Sequence, residues 1–166
     1  MTQAAPLETV AGQFGAAVDM LENAIVACPD EHWGDADDWH AFWYLASHTL
    51  FWLDRDLSDV PERHPPPAPF GLEELDPNGL LPPRVHTRAE LLAVLAGVRS
   101  RLRAVFAGFT AAQAARPSTF RPGTDFTMLE QHLYCLRHVQ HHVGQLQLLL
   151  RQAGVTPPRW VSRGTR

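Results

Sequence analysis

The fold this sequence predicts is all-α: an up-and-down bundle of four long helices with a long proline-rich connection between the second and the third. Three observations carry that expectation. Four stretches repeat apolar residues every three or four positions, the period of a helix with one buried face. No stretch shows the every-other-residue alternation of a half-buried strand. One segment between the helical stretches is too rich in proline to be helical. With 166 residues, 45% of them apolar, the chain fits one domain over residues 1–166 with a continuous core.

The first helix is marked by Leu7, Val10, Phe14, Val18, Leu21 and Ile25, and Pro29 ends it. Asp35, Asp37 and Asp38 then stand where a helix N-terminus favours negative charge, and an aromatic-rich run from Trp39 to about Ser58 forms the second helix without Gly or Pro. From Pro61 to about His86 there are eight prolines, with Gly71 and Gly79 among them. A connection so long and irregular is either a functional lid or a crossover between elements. Thr87 and Glu90 make a capping box for the third helix, whose face is Leu92, Leu95, Val98, Leu102, Val105 or Phe106, and Phe109. Thr110 with Gln113 caps a short turn, and Pro117, Pro122 and Gly123 follow as a loop. Thr127 and Glu130 repeat the capping box, opening a fourth helix from Met128 to about Gln152 that only Gly144 interrupts. Gly154, Pro157 and Pro158 end it, leaving a tail over about 155–166.

Net charge of −4 and the absence of a dense Lys/Arg run give no footprint for nucleic acid or an anionic membrane surface. No basic leader with an apolar run opens the chain and no stretch of about 18 uncharged apolar residues occurs, so a soluble, cytoplasmic protein is expected. Cys28 and Cys135 do not make a disulfide framework and read most simply as small core residues.

Nine histidines need more explanation. His138 and His142, in HVQHHVGQ, are four residues apart, so they lie about 40° apart on one helix face and can present two imidazoles to one ion. A third ligand is wanted from another helix, and His48, in the middle of the second, stands among Ala41, Tyr44, Leu45, Phe51, Trp52 and Arg55, where an unpaired imidazole is costly. His48, His138 and His142 would form a three-nitrogen site with an open position for water or substrate, the arrangement of a reactive rather than a structural metal. His141 offers another pair with His138 but points about 100° away from His142, so His142 is preferred and His141 falls behind the ligands or at the surface. The plain reading is that the three are core histidines, since HxxxH without the glutamate of HExxH also arises by chance. Cys135, one turn before His138, would be a soft ligand as thiolate. Tyr44 and Trp52 are candidates to line a substrate pocket, Arg55 to meet an anionic substrate and Gln145 to orient a ligand. Gly144 would let a backbone or ligand approach closely. His32, His40, His64, His86 and His132 fall on loops or other faces and are read as solvated.

HVQHHVGQLQLLLRQAG resembles the HxxxHxGQL signature of the DinB-like (DNA-damage-inducible) four-helix bundle proteins, and FWYLASHTLFWLDRDLS resembles their second helix with its single histidine. The resemblance covers roughly residues 7–154. It implies a divalent metal, often nickel or zinc, held by His48, His138 and His142. It also implies thiol-dependent S-transferase or isomerase activity using bacillithiol, mycothiol or glutathione, and a homodimer. The long connection from Pro61 to His86 departs from a compact bundle of that kind. Three functions therefore compete: a metal-dependent enzyme acting on a small molecule, either a thiol S-transferase or a related hydrolase; a stress-response protein that binds metal or ligand without turnover; and a dimeric helical scaffold with histidines in its core.

Overall fold

A computed structural model describes residues 4–34, 39–120 and 123–164; Asp35, Asp37, Asp38 and Pro122 lie outside them. Among the described residues six helices follow one another: α1 (Ala4–Ala27), the single turn α2 (Asp30–Trp33), α3 (Phe42–Asp56), α4 (Arg88–Ala107), the single turn α5 (Ala111–Ala114) and α6 (Met128–Gln152). Among the described residues there is no strand, only an isolated bridge between Pro117 and Thr127. The four long helices are those expected, and they form a bundle in which α1 and α3 each pack against both α4 and α6.

Packing rather than propensity holds these helices. Phe14, Val18, Leu21 and Ile25 of α1 are completely buried against Leu50 and Leu53 of α3, Leu91 and Val98 of α4 and Val139, Val143 and Leu146 of α6 in one cluster. Each such side chain contributes about 1.5–3 kcal/mol through removal from water. On α4 the expected stripe is buried at Leu95, Val98 and Leu102, but it opens at Leu91, which is fully buried, and Leu92 is only partly so. On α6 the buried stripe runs through Met128, Gln131, Cys135, Val139, His142, Leu146 and Leu150, which places His138 at its edge. Thr87, Thr110 and Thr127 all make complete capping boxes, with Glu90, Gln113 and Glu130. α3 begins at Phe42 rather than Trp39, because Ala41 is extended (φ −57°, ψ 138°) and no side chain caps the helix there.

Two short 3₁₀ turns, Pro61–Arg63 and Glu73–Leu75, are the only helical pieces of the proline-rich connector. The connector lies along α3, joined to it by three hydrogen bonds of 2.7 Å that each involve a histidine: Asp54 with His64, His48 with Glu74, and Ser47 with His86. Arg101 of α4 completes the first of these, its Nη1 lying 2.9 Å from Asp54 Oδ1. Beyond α6 the tail returns to α1, where the Gly164 amide donates to the Gly12 carbonyl at 3.0 Å. A Cβ on residue 164 would collide with the backbone of Gly15, so only glycine seats the tail there.

Candidate metal centre

The packing of α3 on α6 sets His48 opposite His138 and His142. The His48 ring centroid is 5.4 Å from that of His138 and 4.9 Å from that of His142, and the two α6 rings are 4.5 Å apart. One nitrogen from each of the three lies within 4.8 Å of the others. Among the described residues, no other group of three His, Cys, Asp or Glu side chains converges in this way.

The outer nitrogens decide what the inner ones can do. His142 Nδ1 is 2.6 Å from Gln145 Oε1, an oxygen that only accepts, so Nδ1 carries the proton and Nε2 keeps its lone pair. His48 Nδ1 is 2.7 Å from Glu74 Oε2, which imposes the same tautomer. His142 Nε2 lies 3.0 Å from His138 Nε2, and the buried Nδ1 of His138 has no hydrogen-bond partner. Burial first, and the neighbouring imidazoles second, push His138 down to about 3 and His142 down to about 4, so neither is charged at neutral pH. Three imidazoles that each bring one nitrogen within 4.8 Å of the others are a donor set suited to a borderline divalent ion such as zinc or nickel. Three donors rather than four leave a position for a further ligand.

The site opens on two sides. A cavity of about 410 Å³ is lined by His48, Trp52, Asp56, Phe120, Tyr134 and His138. A second, of about 340 Å³, is lined by Trp39, Tyr44, Leu45, His48, Trp52, Glu74 and His142. Tyr44 and Trp52 thus line the site, as the sequence suggests. Burial, and then the Glu74 carboxylate, push the Tyr44 hydroxyl well above its ordinary range, so it stays protonated.

Other candidates stand elsewhere. Cys135 is completely buried and lines neither cavity; burial, with Asp56 adding to it, holds its thiol far above the usual range, so no thiolate is available as a ligand. Arg55 is half-buried and lines neither cavity. His141 is exposed and packs its ring 5.0 Å from that of His142, outside the converging trio. Gln145 acts on His142 and lines neither cavity. Gly144 is exposed and faces open space, so no element or pocket approaches it. His86 and His132, read as solvated, are 3% and 1% exposed: His86 bonds Ser47, and His132 packs against Phe106 and Phe109. His64 is drawn in by Asp54 and Arg101.

Trp39, Leu45, Asp56, Glu74, Phe120 and Tyr134 are the site residues that sequence reasoning missed. Tyr134 had a signal, one helical turn before His138 on the same face; Asp56 and Trp52 are likewise one turn apart on α3. Glu74 had none, since nothing in an aperiodic connector points to a helix 26 residues earlier.

The chain matches the family described as the DinB superfamily over residues 6–146. No curated protein matches it.

Proposed function

Because the chain belongs to the DinB superfamily, we propose that His48, His138 and His142 hold a divalent ion, zinc or nickel, and that the protein transfers a low-molecular-weight thiol of the bacillithiol or mycothiol type to an electrophile in stress or detoxification. The observation that carries the reading is the convergence of three imidazole nitrogens within 4.8 Å beside two cavities of small-molecule size. When bound, the ion supplies Lewis acidity that lowers the pKa of a thiol brought beside it. The chain supplies the rest. Gln145 fixes the tautomer of His142. Trp39, Tyr44 and Trp52 give one cavity apolar walls that displace water, and the protonated Tyr44 hydroxyl is engaged by the Glu74 carboxylate there. The larger cavity, walled by Phe120 and Tyr134, gives the acceptor its own approach to His48 and His138.

Metal analysis of the purified protein beside a His138→Ala variant tests the binding half. About one ion per chain is expected in the native protein and none in the variant; a native protein that takes up no zinc or nickel overturns the reading. Incubation with a thiol and a chromogenic electrophile tests the catalytic half. Saturable conjugation that a chelator abolishes and added metal restores is the expected result. Metal uptake without conjugation points instead to a binding protein without turnover.

A further inference from the structure

The proline-rich connector hydrogen-bonds one of the converging histidines, His48, through Glu74. Glu74, on the 3₁₀ turn Glu73–Leu75, places Oε2 2.7 Å from His48 Nδ1 and 3.2 Å from Trp52 Nε1, with its side chain 9% exposed. We infer that Glu74 is the positioning residue for His48, and that through it closure of the connector on α3 and uptake of a divalent cation are thermodynamically linked. The inference rests on the reading of the three histidines as ligands, but is carried by a separate observation, the carboxylate contact.

Three consequences of that contact make the link. A neutral imidazole has two tautomers, and an ionised carboxylate can only accept, so Glu74 holds the proton on Nδ1 and turns the Nε2 lone pair toward His138 and His142. The indole N–H of Trp52 donates to the same oxygen, which fixes the carboxylate and through it the plane of the His48 ring. Being largely out of solvent, the negative charge is weakly screened, and it makes His48 a stronger base toward a cation than a carbonyl or water partner would.

The connector delivers this carboxylate from a segment anchored independently on both sides, by His64 on Asp54 and by His86 on Ser47. A cation that favours this state of His48 therefore favours the docked connector, and by reciprocity the docked connector tightens the cation by the same factor.

The test titrates full-length, metal-free protein with Zn²⁺ against a chromophoric chelator and with Co²⁺ followed by its visible absorption. Outer-sphere partners of this kind contribute about 10–100-fold in affinity, which is the loss expected for Glu74→Ala. Glu74→Gln, whose amide oxygen still accepts from Nδ1–H but carries no charge, is expected to fall between, and both variants should shift the Co²⁺ spectrum. Hydrogen exchange should show the amides of residues 70–76 slowing when Zn²⁺ is added to native protein and indifferent to it in the variants. A purely structural Glu74 would lower the melting temperature of metal-free protein while leaving affinity, Co²⁺ spectrum and metal-dependent protection unchanged, and that result overturns the inference alone. Native protein that binds neither ion overturns it together with the reading beneath it. Should Glu74→Ala not fold, Glu74→Gln and the exchange data on native protein decide by the same criteria.

Discussion

His132 is a residue whose surroundings suit its chemistry poorly. It is 1% exposed, its ring lies 5.3 Å from Phe106 and 5.0 Å from Phe109, and neither nitrogen has a hydrogen-bond partner within the protein. Each unsatisfied buried group of this kind costs about 1–3 kcal/mol. Burial pushes His132 down to about 4, with Asp59 opposing the shift. Since the folded value lies below the unfolded one, the unfolded chain takes up a proton first on acidification, and stability falls as pH drops from the ordinary histidine range toward 4. For this one group the loss reaches roughly 2 kcal/mol by about pH 5. His132→Leu is therefore expected to match or exceed native stability at neutral pH and to flatten the acid side of the curve, as read from urea midpoints across pH. An unchanged acid slope would show that His132 is hydrated in the folded protein. The sequence left this residue solvated because a helical wheel gives a side chain's direction and not what lies over it; here the end of α4 and the turn after it bring Phe106 and Phe109 across that face.

At the scale of elements, the capping boxes were the most legible feature of the chain. A Ser/Thr–x–x–Glu/Gln pattern is a local reciprocal exchange of hydrogen bonds, and all three that the sequence offers form. Thr127→Ala removes the acceptor for the Glu130 amide and the hydroxyl that donates to the Glu130 carboxylate, and is expected to cost about 1 kcal/mol, measurable as a lower urea midpoint with unchanged m-value. The trio His48, His138 and His142 was legible for a related reason: helical spacing fixes two of the three directions, and α3 has only one histidine to offer. The connector was not legible beyond its lack of helix. Proline density says what backbone is excluded, while the course of residues 61–86 is set by contacts with α3, and those place Glu74 on His48 and bury His86 on Ser47. The start of the α4 stripe at Leu91 rather than Leu92 has the same origin, since neighbouring helices choose which side of a broad apolar face is covered.

Taken as a whole, the molecule is a bundle tied together over long sequence separations. Arg99 of α4 pairs with Asp19 and Glu22 of α1, Gln131 of α6 donates to the carbonyls of Asp56, the last residue of α3, and Ser58 beyond it, and the tail settles Gly164 on α1. No helix among the described residues is long and apolar enough to cross a membrane. The converging histidines sit between two cavities that share His48 and Trp52. For a two-substrate transfer this becomes a statement about order of addition: with one doorway each, neither reactant has to wait for the other. Initial rates over a grid of both concentrations should fit a random rather than a compulsory sequence. Trp39→Ala should raise the KM of one reactant and Tyr134→Ala that of the other, each by several-fold and without the cross effect. If both variants raise both constants together, the two openings serve as a single vestibule, and whichever molecule enters first governs the second.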